Sequence, residues 1–203
     1  MPARIDDILS FWFGLSRNDP QEAERLTPRW FASGKALDAE IEQRFRGEYD
    51  AAVAGELAEW EQTARGTLAL IILLDQFPRN MFRRTPRAFA EDSVAQRLCV
   101  EGIEQALDIN LTPIERGFFY MPLQHAENAY LQDMSVRQYE ALLSTSEADW
   151  QAVLRGMLDY AYEHRDIIQR FGRFPHRNAI LGRDSSAEEL QFLAAGGPDY
   201  GQG

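Results

Sequence analysis

Three histidines, His125, His164 and His176, are the residues of this chain whose type suits proton transfer near neutral pH. His125 falls on a helical stripe with Ile114, Phe118, Met121 and Ala129. His164 shares a face with Met157, Ala161, Ile168 and Phe171, so both rings are expected to point inward. A lone inward histidine is most often a satisfied core residue. Two of them, with Asp75 and the polar group Gln124, Glu127 and Asn128, suggest a convergent interior site for acid–base work. Asp75 lies near the C-terminal end of an apolar helical segment, where the helix dipole disfavours an anion, on the face of Leu68, Ile71 and Ile72. It needs a buried partner, expected to be Arg79 or an arginine of the later Phe-Pro segment. The same pairing serves equally well as an ion pair that fixes two helix ends.

That later segment, Arg170-Phe-Gly-Arg-Phe-Pro-His-Arg-Asn178, concentrates three arginines, a histidine and an amide. Guanidinium forks hold carboxylate or phosphate bidentately, so the density suits an anion site. The alternative is that these arginines neutralise helix carbonyls and pair with acidic neighbours. The segment echoes Phe77-Pro-Arg-Asn80, and in both places the proline is expected to stop a long helix. The resulting assignment has His125, His164 and Asp75 as candidate catalytic residues. Arg79, Asn80, Glu127, Arg173, His176, Arg177 and Asn178 are the candidate ligand contacts. The ligand is expected to be a small anion, and any chemistry acid–base action on an ester, amide or phosphorylated metabolite. A rival is a helical adaptor that clamps a peptide or a C-terminal carboxylate with the same arginines. A third reading has the polar residues only fixing helix packing.

Other chemistries lack their motifs. There is no glycine-rich phosphate loop, no His-Glu-x-x-His and no paired cysteine motif, so no cofactor and no metal is assigned. A metal on His125, His164 and a carboxylate is the weaker alternative. Cys99 sits on an apolar stripe and reads as an inert buried thiol. The aromatic groups Phe11-Trp-Phe13 and Trp30-Phe31 read as core.

The elements that position these residues are helical nearly throughout. Ile5, Ile8, Leu9 and Trp12 form one helical face ended by Gly14, and Leu37 to Val53 repeats the pattern before Gly55. Residues 63–77 form a central helix, apolar on every side. A fourth helix is expected over 86–108. A fifth follows from Thr112 to about Tyr130, opened by a capping box of Thr112 and Glu115 around Pro113. Shorter and longer helices are expected over 135–143 and 147–171. The last, 186–194, has a second capping box, Ser186 with Glu189, and closes at Gly196-Gly197. No window alternates with period two. The expectation is an all-α chain, either a bundle or a solenoid of helical hairpins with degenerate repeats.

A chain of 203 residues suggests one domain, here with a short flexible tail, and can bury a core without disulfides. A net charge of -11 disfavours nucleic acid as a partner. The longest apolar run, Leu68 to Leu74, is far short of the about 20 residues a bilayer span needs. Cys99 stands alone and Met1-Pro-Ala-Arg-Ile5 has no leader pattern, which points to a reducing cytoplasm. Lys35 is the sole lysine, a skew that coding bias explains without function.

Several longer segments bear a family resemblance. They are Phe11-Trp-Phe-Gly14, Trp30-Phe31, Leu74-Asp-Gln-Phe-Pro-Arg-Asn80, Met121-Pro-Leu-Gln-His-Ala-Glu127, His164-Arg-Asp166, and Gly172 through Arg183. In this order, and over nearly the whole chain, they resemble the family called domain of unknown function 924. The resemblance implies an all-helical, tetratricopeptide-like, right-handed superhelix in a bacterial cytoplasmic protein. It implies no reaction. Ser185-Ser186 stands where such families place a helix-capping Ser-Thr pair.

Overall fold

Helices joined by short turns make up the computed structural model, which describes residues 5–32 and 34–201, and no strand occurs among them. Met1 to Arg4, which carry most of the leader argument, and Gln202 and Gly203 of the tail lie outside the described residues. The helices are α1 (Ile5–Phe13), α2 (Pro20–Phe31), α3 (Lys35–Val53), α4 (Ala64–Ile71), α5 (Phe77–Met81), α6 (Asp92–Glu104), α7 (Pro113–Gln124), α8 (Ala129–Thr145), α9 (Gln151–Phe171) and α10 (Ala187–Ala194).

Helix α4 is the expected central element. Gly66 through Ile71 are all buried, and the helix packs against α1, α6 and α7, while α8 packs against both α7 and α9. The core on its α1 side is aromatic: Trp12 meets Phe77 and Phe118 edge-on at 5.6 and 5.8 Å, and Phe13 meets Phe118 at 5.3 Å. Both capping boxes form. The Thr112 N–H donates to Glu115 at 3.0 Å, and the Ser186 N–H donates to Glu189 at 2.7 Å.

Four boundaries differ from expectation, each for a physical reason. Helix α2 lacks a continuous apolar stripe and contains Pro28, yet Asp19 caps it by accepting from the N–H groups of Gln21 and Glu22, and Pro20 occupies its first turn. The fourth helix is split, with a 3-10 turn at Pro86–Phe89 before α6. The fifth stops at Gln124, because Asn128 caps a new helix by accepting from the Leu131 N–H. Neither Phe-Pro proline stops a helix. Beyond α4 the chain widens into a π turn at Ile72–Gln76, where the Phe77 N–H reaches the Ile72 carbonyl, and Pro78 then sits in the first turn of α5. At the other segment α9 ends earlier, on Gly172, whose φ of 70° gives the left-handed cap that glycine adopts without strain.

Candidate functional site

The π turn places Asp75. A single wide turn shifts the register of the helix by one residue, and such turns recur at functional sites. The Asp75 carboxylate is fully buried. It accepts the Nδ1–H of His125 at 2.7 Å on Oδ1 and a bond from the Gln76 amide on Oδ2, and the Arg79 guanidinium lies 3.2 Å away. Burial by itself would raise the carboxyl pKa, but Arg79, His125 and Gln76 together bring it down to about 2. Asp75 is therefore an anion, which fixes the His125 tautomer and leaves Nε2 as the free ring nitrogen.

His125 is not a mid-helix residue. It is the C-cap of α7, its N–H bonded to the Met121 carbonyl. Burial, followed by Arg79, lowers its pKa against the opposing pull of Asp75, so the ring is neutral at pH 7. His164, on α9, donates Nδ1–H to the Tyr160 carbonyl at 2.7 Å and lies 6.1 Å from His125, centroid to centroid. Burial and the nearby His125 hold it neutral as well. His176 is buried beside Phe174 and Tyr200 and is pushed down to about 3 by burial and then by Arg177.

The two Phe-Pro segments meet through Asp92, in the first turn of α6. Arg79 from the first contacts both of its oxygens at 3.0 Å, and Arg177 from the second contacts Oδ2 at 3.2 Å. The Arg177 guanidinium is sandwiched between Phe89 and Phe174, 4.6 and 4.5 Å from the ring centroids. Burial lowers its pKa to about 10, which leaves it a cation at neutral pH. Only its Nη1 is engaged, and Nε is buried without a hydrogen-bond partner.

These groups surround a cavity of about 210 Å3. All three histidines line it, with Gln76, Arg79, Asn80, Arg83, Gln124 and Arg177 as the other polar wall and Trp30, Phe31, Phe89, Met121, Met157, Tyr160, Tyr200 and Gly201 closing it. The Gln124 Oε1 is buried without a partner. Asn80 donates to Asp38 at 2.8 Å, and Arg83 pairs with the same carboxylate at 2.9 Å. The wall thus sets Arg79, Arg83 and Arg177 against Asp75, Asp92 and Asp38, three charges of each sign, with the histidines neutral.

Other predicted contacts lie outside this wall. Glu127 accepts from the Phe174 N–H at 2.8 Å and from Arg183 at 2.6 Å. Arg173 pairs with Glu189 at 2.7 Å, and Asn178 donates to Ser185 at 3.0 Å. They brace the second Phe-Pro segment. Asn128 is spent on capping α8, and Arg170 pairs with Glu188 at the surface. Trp30 belongs to the core as expected, but Phe31 is 45% exposed and lines the cavity. Cys99 is buried, its thiol pushed well up by burial. Among the described residues no cluster of three metal-ligating side chains occurs, and no helix is long and apolar enough to cross a membrane.

Sequence reasoning did not find Asp92, Tyr160 or Tyr200. Asp92 reads as an ordinary acidic residue in a first helical turn, and Tyr200 follows Gly196-Gly197, beyond the last helix. Yet the Tyr200 ring stacks on His164 at 4.1 Å, and its hydroxyl donates to Glu163 at 2.7 Å.

The model of a family described as a bacterial protein of unknown function, DUF924, matches residues 8–197. The chain belongs to this family. A solved structure of a protein of unknown function from Agrobacterium tumefaciens shares its fold, with a TM-score of 0.80, 37% identity, and coverage of 95% of this chain and 97% of that one. No curated protein matches the chain.

Proposed function

We propose that the cavity binds a small anion, a carboxylate or a phosphate, and that His125 acts on it as acid and base. The observation that carries this reading is the Asp75–His125 pair at 2.7 Å, which offers a neutral ring nitrogen to a cavity that Arg177 also lines. The Arg177 guanidinium and the Gln124 amide nitrogen, both residues of the cavity wall, hold the anion. Arg79, Asn80, His164 and His176 complete the wall, while Glu127, Arg173 and Asn178 keep the second Phe-Pro segment in place. Among the described residues that line the cavity none is a serine, threonine or cysteine, and the nucleophile in this reading is water. Its oxygen attacks the carbonyl carbon or phosphorus of an ester, amide or phosphorylated metabolite as one proton passes to Nε2 of His125. The imidazolium, held by Asp75, then gives that proton to the leaving oxygen or nitrogen.

The same reading arranges the helices as a right-handed, tetratricopeptide-like superhelix of antiparallel hairpins, supported by the sequential packing of α7, α8 and α9. It sets the protein in the cytoplasm, supported by a single buried thiol. It disfavours nucleic acid as a partner, supported by the charge of -11. A cavity of about 210 Å3 suits a small molecule better than the peptide an adaptor would hold.

The test is a thermal-shift screen of metabolites and anions against the wild type, His125→Ala and Arg177→Ala. A ligand at about 100 times its Kd raises the midpoint by roughly 5 to 10 °C. Loss of that shift in both folded variants supports the assignment. An unchanged shift in folded His125→Ala refutes it.

A further inference from the structure

Two of the residues that line the polar cavity, Tyr200 and Gly201, come from beyond the last helix. Helix α10 ends at Ala194, Gly196 takes a left-handed φ of 91°, and the chain then returns to α9, where the Tyr200 ring meets His164. Gly197 is the last firmly seated residue. Its N–H donates to the Phe192 carbonyl at 3.0 Å, and a Cβ there would strike the Phe192 ring at 2.5 Å. Beyond it, among the described residues, no backbone–backbone hydrogen bond holds positions 198–201.

What does hold them is small and lies at the surface. The Tyr200 hydroxyl donates to the exposed Glu163 at 2.7 Å, and Arg83 donates to the Gly201 carbonyl at 3.2 Å. The ring lies on His164 at 4.1 Å, tilted by 25°, and meets His176 edge-on at 5.2 Å. The apolar group beneath it is a satellite of the main core, with Ile167, Ile168 and Phe174 as its buried members. Exposed hydrogen bonds contribute little net stability, and segments with few buried apolar contacts open at a small fraction of the cost of unfolding.

The backbone adds strain. Tyr200 and Gly201 both sit in the left-handed region, with φ of 50° and 72°, which glycine adopts freely and a bulky aromatic residue rarely does. Strain of this kind collects at ligand clamps and switch segments, where neighbouring contacts hold it in place. Here the contact that holds it is the seat of the ring on His164. Release would leave no buried polar group unpaired, because Arg83 keeps Asp38 at 2.9 Å while the Tyr200 hydroxyl and Glu163 turn to water. It would uncover His164, whose Nδ1–H is spent on the Tyr160 carbonyl, which leaves Nε2 as the nitrogen to be exposed.

We infer that residues 198–201 are a strap, hinged at Gly197, that covers the His164 side of the cavity and swings away to admit the ligand, with the Tyr200–Glu163 hydrogen bond as its latch. This rests on the reading of the cavity as the binding site and adds its gate.

The experiment needs no ligand. Carbethoxylation of His164 by diethyl pyrocarbonate at pH 7, located by peptide mass mapping, measures how often the imidazole is uncovered, with N-acetylhistidine as the unprotected reference. Tyr200→Phe and Glu163→Ala cut the latch from opposite ends and keep the ring, whereas Tyr200→Gly removes the ring and suits the left-handed backbone. The expected result is that His164 of the wild type reacts far more slowly than N-acetylhistidine. Each latch variant speeds the reaction about fivefold, the worth of one exposed hydrogen bond, with its melting temperature kept. The double variant is no faster than either single one, since both remove the same bond, and Tyr200→Gly is the fastest. A wild-type rate near that of N-acetylhistidine overturns the cover. Acceleration in Tyr200→Gly alone means a fixed ring rather than a swinging strap, and unchanged rates throughout mean no gate; either overturns the inference. Gains that add in the double variant overturn the latch. Should Tyr200→Gly fail to fold, the two latch variants decide. Because no ligand enters these rates, their failure leaves the anion reading standing, and an anion screen without a hit, beside accelerated latch variants, overturns that reading alone.

Discussion

Mild acid should destabilise the folded protein, and His176 supplies a share that can be isolated. Burial, and after it the Arg177 charge, hold its folded pKa at about 3. In the unfolded chain it returns to about 6.5. Between those values the unfolded state binds a proton that the folded state refuses, so stability falls as pH falls, by about 1.4 kcal/mol per pH unit once below 6.5. Integrated from pH 7 to pH 5, the loss from this one residue is about 2 kcal/mol, which lowers the melting temperature by about 4 to 8 °C in a chain of this size. His164 and His125, also held below their ordinary range, act in the same direction. Asp75 and Glu189, both drawn down to about 2, have the opposite sense of shift: their stabilisation is present above the unfolded carboxylate range and is lost only as pH falls towards 2. The window from 7 to 5 therefore reports histidine. The assay is thermal unfolding of the wild type and His176→Gln at pH 7, 6 and 5. The glutamine variant should show a shallower pH dependence by the stated 4 to 8 °C across the window, whatever its absolute stability. Parallel curves for the two proteins would refute the reasoning, because they would mean that His176 takes up its proton in the folded state.

Three further outcomes follow from particular contacts. Gly66→Ala places a Cβ 2.1 Å from the Trp60 carbonyl oxygen, a backbone atom that cannot turn aside, and should cost about 3 kcal/mol in urea unfolding; Gly117→Ala, whose clash is with the pliable Met157 side chain, should cost clearly less, and equal losses would refute the distinction. Asp75→Asn removes the anion that Arg79 and His125 share and should cost about 3 to 5 kcal/mol while lowering the His125 pKa further, readable by NMR titration; a raised pKa would contradict the geometry. Cys99 should react with a thiol reagent only as fast as the protein unfolds, so rapid modification of the native state would show that the thiol is not sealed in the core.

The legible parts of this molecule are those written in local chemistry. Thr112 with Glu115, and Ser186 with Glu189, signal helix starts because the capping box is formed by residues three apart. The apolar run around Leu68 to Leu74 identifies the central helix because nothing but a surrounding core tolerates it. Asp75 stands out for the same reason: a carboxylate in that run must find a cation, and Arg79 is four residues on. What local chemistry cannot supply is the π turn, since no residue of Ile72–Gln76 forces it, and with it the freedom of Pro78 to stay in the helix. Nor can it tell a clamp from a latch. Arg173, Arg177 and Arg183 look alike in the chain, yet only Arg177 reaches the cavity, because Glu189, in the next helix, and Glu127, 56 residues back, take up the other two. The wall contributed by Phe31, Tyr160 and Tyr200 depends on how α2, α9 and the tail meet, a long-range fact that no spacing encodes.

The cost of this polar cluster argues against a packing role alone. Each ion withdrawn from water loses several kcal/mol of solvation, and a set of apolar side chains of similar volume often replaces a buried ion pair at no loss or with a gain in stability. Asp75 and Asp92 with Arg79 and Arg177 make up a network of four such ions, all close to fully buried, with the Arg177 Nε left without a partner. Packing would have been better served by closing the space they surround, as protein interiors do to near-crystalline density. Here the ions and three neutral imidazoles instead line a cavity of about 210 Å3, and the rings bordering it include two of the exposed large hydrophobic residues. A cluster that is expensive to bury, incompletely satisfied and arranged around a cavity supports the proposed polar-ligand site over a purely structural role.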